Sequence, residues 1–123
     1  MTPEFETAQR RIETSVAKWS KLMDMGWLTI KHTFNPNFSE AHHYIVASTE
    51  VDWEYRSGVT DWYLPRVCAI TDETLESVVV HEGVHCLTAP MESIISTKDS
   101  KVCEFSVESL ARAILSVHRG TDG

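Results

Sequence analysis

Five consecutive residues, His81-Glu82-Gly83-Val84-His85, constrain this chain more than any other part of it. On an α-helix, positions i and i+4 point from the same face, so the two imidazoles can converge on one metal ion. Glu82 is too close along such a helix to join both histidines on that ion easily. It is well placed to hold a water that the ion polarises. Neutral imidazole ligands, an open coordination position and a carboxylate that takes a proton are the parts that zinc-dependent hydrolysis needs.

The string alone does not decide the matter, because in a 123-residue chain with six histidines it arises by chance in roughly a few per cent of cases. Its surroundings strengthen it. Thr71 is a candidate N-cap, Asp72 and Glu73 are acids for the first turn, and Leu75, Val78, Val79 and Leu87 are spaced for a buried helical face. Val78-Val79-Val80 immediately before the histidines implies burial, where unpaired histidines and carboxylates are costly. Nineteen residues after His85 comes Glu104-Phe105-Ser106-Val107-Glu108, inside a second helical segment, which offers a third ligand.

Elsewhere the periodicity predicts an α+β domain. Ile12, Val16, Trp19 and Met23 form the apolar stripe of a helix from Pro3 to about Met25 that stops near Gly26. Trp27 to Phe34 alternates as a first strand, and Ile45 to Arg56 alternates most clearly of all. Ser57-Gly58 is expected to make a tight turn, with Val59 to Leu64 returning as the partner strand and Pro65 at the sheet's edge or exit. Pro90 should end or kink the histidine helix. A last helix from about Asp99 to His118 is expected to bury Val107, Leu110, Ile114 and Val117, with Glu104, Glu108, Ala111 and Leu115 on the neighbouring stripe. Residues 1–119 read as one domain with a small, mainly antiparallel sheet of three or four strands, and residues 120–123 as a flexible tail.

Composition narrows the partners. A formal net charge of −7 without a basic patch argues against nucleic acid or an anionic membrane. The acidic start Met1-Thr2-Pro3-Glu4-Phe5-Glu6 does not lead into an apolar secretory segment, so a soluble, cytosolic protein is expected. Cys68, Cys86 and Cys103 lack any Cys-x-x-Cys spacing and are expected to be free thiols, with Cys86 turned away from the histidine face. His32, His42, His43 and His118 read as ordinary surface or hairpin residues.

The histidine motif, the glutamate motif Glu104 to Glu108 and the order of elements resemble the zincin metallopeptidases, and more narrowly the gluzincins. The small size is similar to that of the single-domain minigluzincins and of zincin-like proteins encoded by bacteriophages, which implies a bacterial or phage-infected host cytosol. That resemblance implies Zn2+ on His81, His85 and Glu104, with Glu82 as general base and Glu108 accepting a hydrogen bond from a ligand imidazole. Glu108 stands where the family carries aspartate, so Glu108 remains the alternative third ligand. The resemblance also implies a peptide or protein substrate added to an edge strand, for which Val59 to Leu64 is the candidate. It implies a Tyr or His donor beyond the glutamate helix, where this chain offers only His118. Gly83 suits close approach of the helix to a neighbour. A second reading, a non-catalytic zincin-fold module that binds metal or assembles with other proteins, stays open, as does a metal-free packing of the same helices.

Overall fold

Thr2 opens the first helix, α1 (Pro3–Leu22), by accepting a hydrogen bond from Phe5 N at 3.2 Å, with Pro3 in the first turn and Glu4 and Glu6 against the helix dipole. In the computed structural model, which describes residues 1–37, 45–95 and 97–120, three strands and three further helices follow. They are β1 (Thr29–Asn35), β2 (Ala47–Asp52), β3 (Ser57–Tyr63), α2 (Leu64–Cys68), α3 (Asp72–Glu92) and α4 (Ser100–Arg119). The expected α+β class holds. The pair His42-His43 and residues 121–123 lie outside the described residues.

The sheet is mixed rather than mainly antiparallel. Its order is β1-β3-β2, with β1 parallel to β3 and β2 antiparallel to it. The β2–β3 connection is not Ser57-Gly58. A short 3-10 turn at Trp53–Tyr55 and a left-handed Arg56, φ 55°, reverse the chain, so that Ser57 and Gly58 already belong to β3. Gly58 is needed there for space, since a Cβ would lie 2.7 Å from the Glu50 carbonyl oxygen on β2. The strand expected at the edge is therefore the central one, and β2 is an edge. Pro65 lies at the sheet's exit, two residues after β3 ends, in the first turn of α2, where its missing N–H costs nothing.

One face of the sheet carries Phe34, Trp62 and Ala47 in one row and His32, Thr60 and Thr49 in the next. α3 packs across this face, with α1 and α4 against its flanks. Thr71 caps α3 as expected, accepting from Thr74 N at 3.2 Å. The residues α3 buries are Leu75, Val79, Val80, Glu82, Gly83, Val84 and Cys86, while Leu87 is exposed. α4 is rotated relative to the expected stripe: Val107, Ala111 and Leu115 are buried, Ile114 is half-buried, and Leu110 and Val117 face outward. The small Ala111 lets α4 lie close to α3, and the rotation brings Glu104 and Glu108 over the histidines. Gly120 is not tail but the C-cap of α4, in the left-handed conformation at φ 63°. Pro90 does not stop α3, which continues to Glu92. Only one ladder bond is lost so near the end, and the last turn is held by Thr88 Oγ1 donating to Glu92 at 2.6 Å. No helix among the described residues is long and apolar enough to cross a membrane.

Glu76 ties the three long helices together. Its carboxylate accepts from Lys18 Nζ at 2.7 Å, Trp19 Nε1 at 3.0 Å and Arg119 Nη2 at 3.2 Å. Burial alone would raise its pKa, but these donors and the Lys18 charge outweigh burial and hold it near about 2, against an ordinary 4.5. A folded value below the unfolded one adds stability that is full above the ordinary value and is lost as pH falls towards 2. Allowing for solvent screening at a side chain 20% exposed, Glu76→Gln is expected to cost about 1–2 kcal/mol at neutral pH. It should also flatten the acid limb between pH 4.5 and 2 in urea titrations. An unchanged acid limb would show that the three donors do not stabilise the carboxylate.

Candidate metal centre

His81 and His85 leave the same face of α3, and their rings meet edge to face with centroids 4.9 Å apart. Glu104 reaches both from α4: its Oε2 is 3.4 Å from His81 Nε2 and its Oε1 is 3.0 Å from His85 Nε2. One ligand atom from each of the three residues lies within 4.8 Å of the others. Two ligands bonded to tetrahedral zinc at about 2.0–2.1 Å are separated by roughly 3.3–3.4 Å, close to the two spacings between imidazole and carboxylate. For all three to share one ion the widest pair would have to close by more than about 1 Å.

The outer nitrogens are also engaged. His81 Nδ1 lies 3.3 Å from Glu108 Oε2, and His85 Nδ1 lies 2.9 and 3.1 Å from the two oxygens of Glu92. Carboxylates accept only, so a proton on each Nδ1 fits this arrangement and leaves the Nε2 lone pairs directed at Glu104. Two lone pairs facing an anion repel unless positive charge lies between them. Either imidazolium protons or a cation meets that requirement, and the residues fit a divalent cation in ligand type, spacing and outer support.

Among the sequence candidates, the structure brings His81, His85, Glu104 and Glu108 together. Glu104 spans both inner nitrogens, whereas Glu108 meets only the outer nitrogen of His81. Glu92 was not foreseen. It stands seven residues beyond His85 on the same helix face, a spacing that could have signalled it, but Pro90 between them read as a helix end. Cys86 is buried and takes no part in the cluster; burial pushes its thiol up to about 12, with the nearby Glu82 and Glu92 charges adding to the effect. Cys68 and Cys103 are also free thiols. His118 packs against Trp19 at a centroid distance of 4.8 Å and does not line the site. His32 is no surface residue: its Nδ1 accepts from Trp62 Nε1 at 3.0 Å inside the fold.

Glu82 leaves α3 toward the sheet and is 7% exposed. Desolvation by burial raises its carboxyl to about 7; His85 opposes the rise, Glu104 and Glu92 add to it, and a hydrogen bond from Thr49 lowers it. Thr49 is in turn bonded to Thr60 at 2.8 Å, so a row of hydroxyls crosses the buried face of the sheet to reach the carboxylate. Its Oε2 has no hydrogen-bond partner among the described residues. An orphaned buried acceptor beside His81 and His85 is a place where a water can be held.

These groups line a groove of about 690 Å3 bounded by α3, α4 and residues 45–49. Because Tyr63 N bonds Val46 O at 2.9 Å, the antiparallel alternation turns the backbone N–H and C=O of Ala47, Thr49 and Val51 away from β3. Among the described residues no Arg, Lys or Tyr lines this groove. Comparison with known proteins identifies no relative: no family model matches the chain, and no curated protein or solved structure matches it either.

Proposed function

We propose that this protein is a zinc-dependent peptidase of gluzincin type, with His81, His85 and Glu104 as ligands, Glu82 as general base and a peptide lying along β2. The single observation that carries the reading is the placement of a buried Glu82, whose Oε2 has no hydrogen-bond partner among the described residues, beside three residues with zinc-ligand chemistry and spacing. When bound, zinc acts as a Lewis acid that makes water acidic and polarises a carbonyl. Glu82 Oε2 accepts the proton of the attacking water, and the raised pKa of the carboxyl suits its return to the departing amine nitrogen. The open backbone groups of β2 can pair with an extended substrate, the role first expected of Val59 to Leu64. Glu92 and Glu108 hold the imidazoles with their Nε2 atoms forward.

A second reading is favoured by one observation: the groove lacks a cationic or phenolic donor for a developing oxyanion among the described residues. A non-catalytic metal-binding or assembly module of the same fold needs none. Zinc analysis of the purified protein, together with detection of new amino termini in a mixed peptide library, separates the two. One zinc per chain with new termini is the expected result. Stoichiometric zinc without cleavage of any peptide would overturn the peptidase in favour of the module.

Glu92→Gln tests the outer support. Glutamine keeps the shape but offers His85 a weaker acceptor, and zinc affinity is expected to fall about 10–100-fold. Competition with a chromogenic chelator measures it; an unchanged affinity would show that Glu92 does not orient the ligand.

A further inference from the structure

Behind the histidine helix lies a second space. It holds about 250 Å3 between α1, the inner face of the sheet and α3, and Trp19, Met23, Met25, Ile30, Trp62 and Val79 supply much of its apolar wall. Protein interiors pack nearly as densely as organic crystals, with few voids larger than a water. A small domain that keeps such a hollow forgoes dispersion contacts along its wall. Each buried water needs two to four polar partners, and Ser20, His32, Thr60 and Glu82 are the polar side chains among the lining residues.

A few polar groups do reach the space. His32 Nδ1 accepts from Trp62 Nε1, and burial lowers the His32 pKa, so the neutral ring carries its proton on Nε2. Glu82 forms part of the wall of both this cavity and the groove, whereas His81 and His85 line only the groove. Its unpartnered Oε2 belongs to a side chain more than nine-tenths buried. The α1–β1 turn adds Met23, Gly26 and Leu28 to the wall, of which Gly26 is exposed and Met23 and Leu28 are half-buried.

We infer that this cavity binds a small, mainly apolar aromatic molecule with one hydrogen-bond donor, seated against Glu82 on the side away from the histidines. The volume is too small for a folded peptide segment and suits a fused bicyclic ring. Two indoles favour edge-to-face contacts with such a ring, and the flexible thioethers of Met23 and Met25 adapt to its outline. The donor meets the Glu82 acceptor. Binding here requires no metal, although it draws on the same Glu82 carboxylate that the peptidase reading uses as base.

Indole is the probe, and methyl-labelled methionine is the reporter. Met23 and Met25 face the cavity, while Met1 and Met91 are exposed elsewhere. Titration is expected to shift the first two methyl resonances saturably, half-complete at about 1 mM or below, and to leave the other two in place. N-methylindole, which lacks the donor, is expected to bind several-fold more weakly. Val16→Phe adds a ring to the wall and is expected to abolish the shifts without lowering the melting temperature. If that variant does not fold, Gly83→Ala replaces it: the new Cβ would lie 3.1 Å from Met23 Cε and Sδ and is expected to weaken binding several-fold. The shifts are expected equally in zinc-loaded and chelator-treated protein. Absence of saturable shifts, equal movement of all four methyls, equal binding of N-methylindole, or dependence on zinc would each overturn the inference.

Discussion

Glu82→Gln is expected to lower peptide hydrolysis by about a hundredfold to ten-thousandfold while zinc content stays at one per chain. Glutamine retains an oxygen for Thr49 and the same volume between α3 and the sheet, so the packing around Val79 and Thr60 is preserved. It cannot accept the proton that the water must lose. Removing a buried carboxylate with an orphaned oxygen also relieves a desolvation penalty, so stability should hold or rise. This combination, lost turnover in a sound and metal-replete protein, is not produced by a structural defect. Equal hydrolysis by both proteins would remove Glu82 from the chemistry, and loss of zinc together with activity would make it a ligand.

His85→Ala is expected to abolish zinc-dependent stabilisation. A ligand that binds only the folded state adds about 4 kcal/mol at a thousandfold excess over its dissociation constant. In a domain of this size that corresponds to a melting shift on the order of 10–20 °C. The alanine variant leaves Glu104 with a single imidazole and leaves Glu92 without its ring partner, so both the ion and its outer support are lost. Scanning calorimetry with added zinc and then chelator reads the effect directly. A variant that still gains the full shift would show that zinc binds elsewhere, and the proposed ligand set would fall with it.

Features governed by short-range spacing were legible without coordinates. Thr71 caps its helix because a hydroxyl can reach the N–H three residues on, and that reach depends on local backbone alone. The alternation through Val51 marked β2 for the same reason, although it overran into Trp53–Tyr55, where the chain turns. The reading failed where two distant segments compete for one place. Val59 to Leu64 resembles an edge strand in isolation, yet pairing with both β1 and β2 makes β3 central. Leu110 and Val117 resemble core residues, yet a small Ala111 and two carboxylates directed at the histidines turn α4 away from them. Pro90 conceals Glu92, because a rule about helix ends carries no information on the bonds that hold this one.

The chain's own order of residues determined that His81 and His85 share a helix face, because one turn of helix separates them whatever surrounds it. Only the tertiary structure decided that Glu104 faces both rings, that Glu108 and Glu92 stand behind them, and that Glu82 is buried between a groove and a cavity. Those relations depend on the rotation of α4, the order of strands and the depth at which α3 crosses the sheet. Each of these is set by packing between segments far apart in sequence.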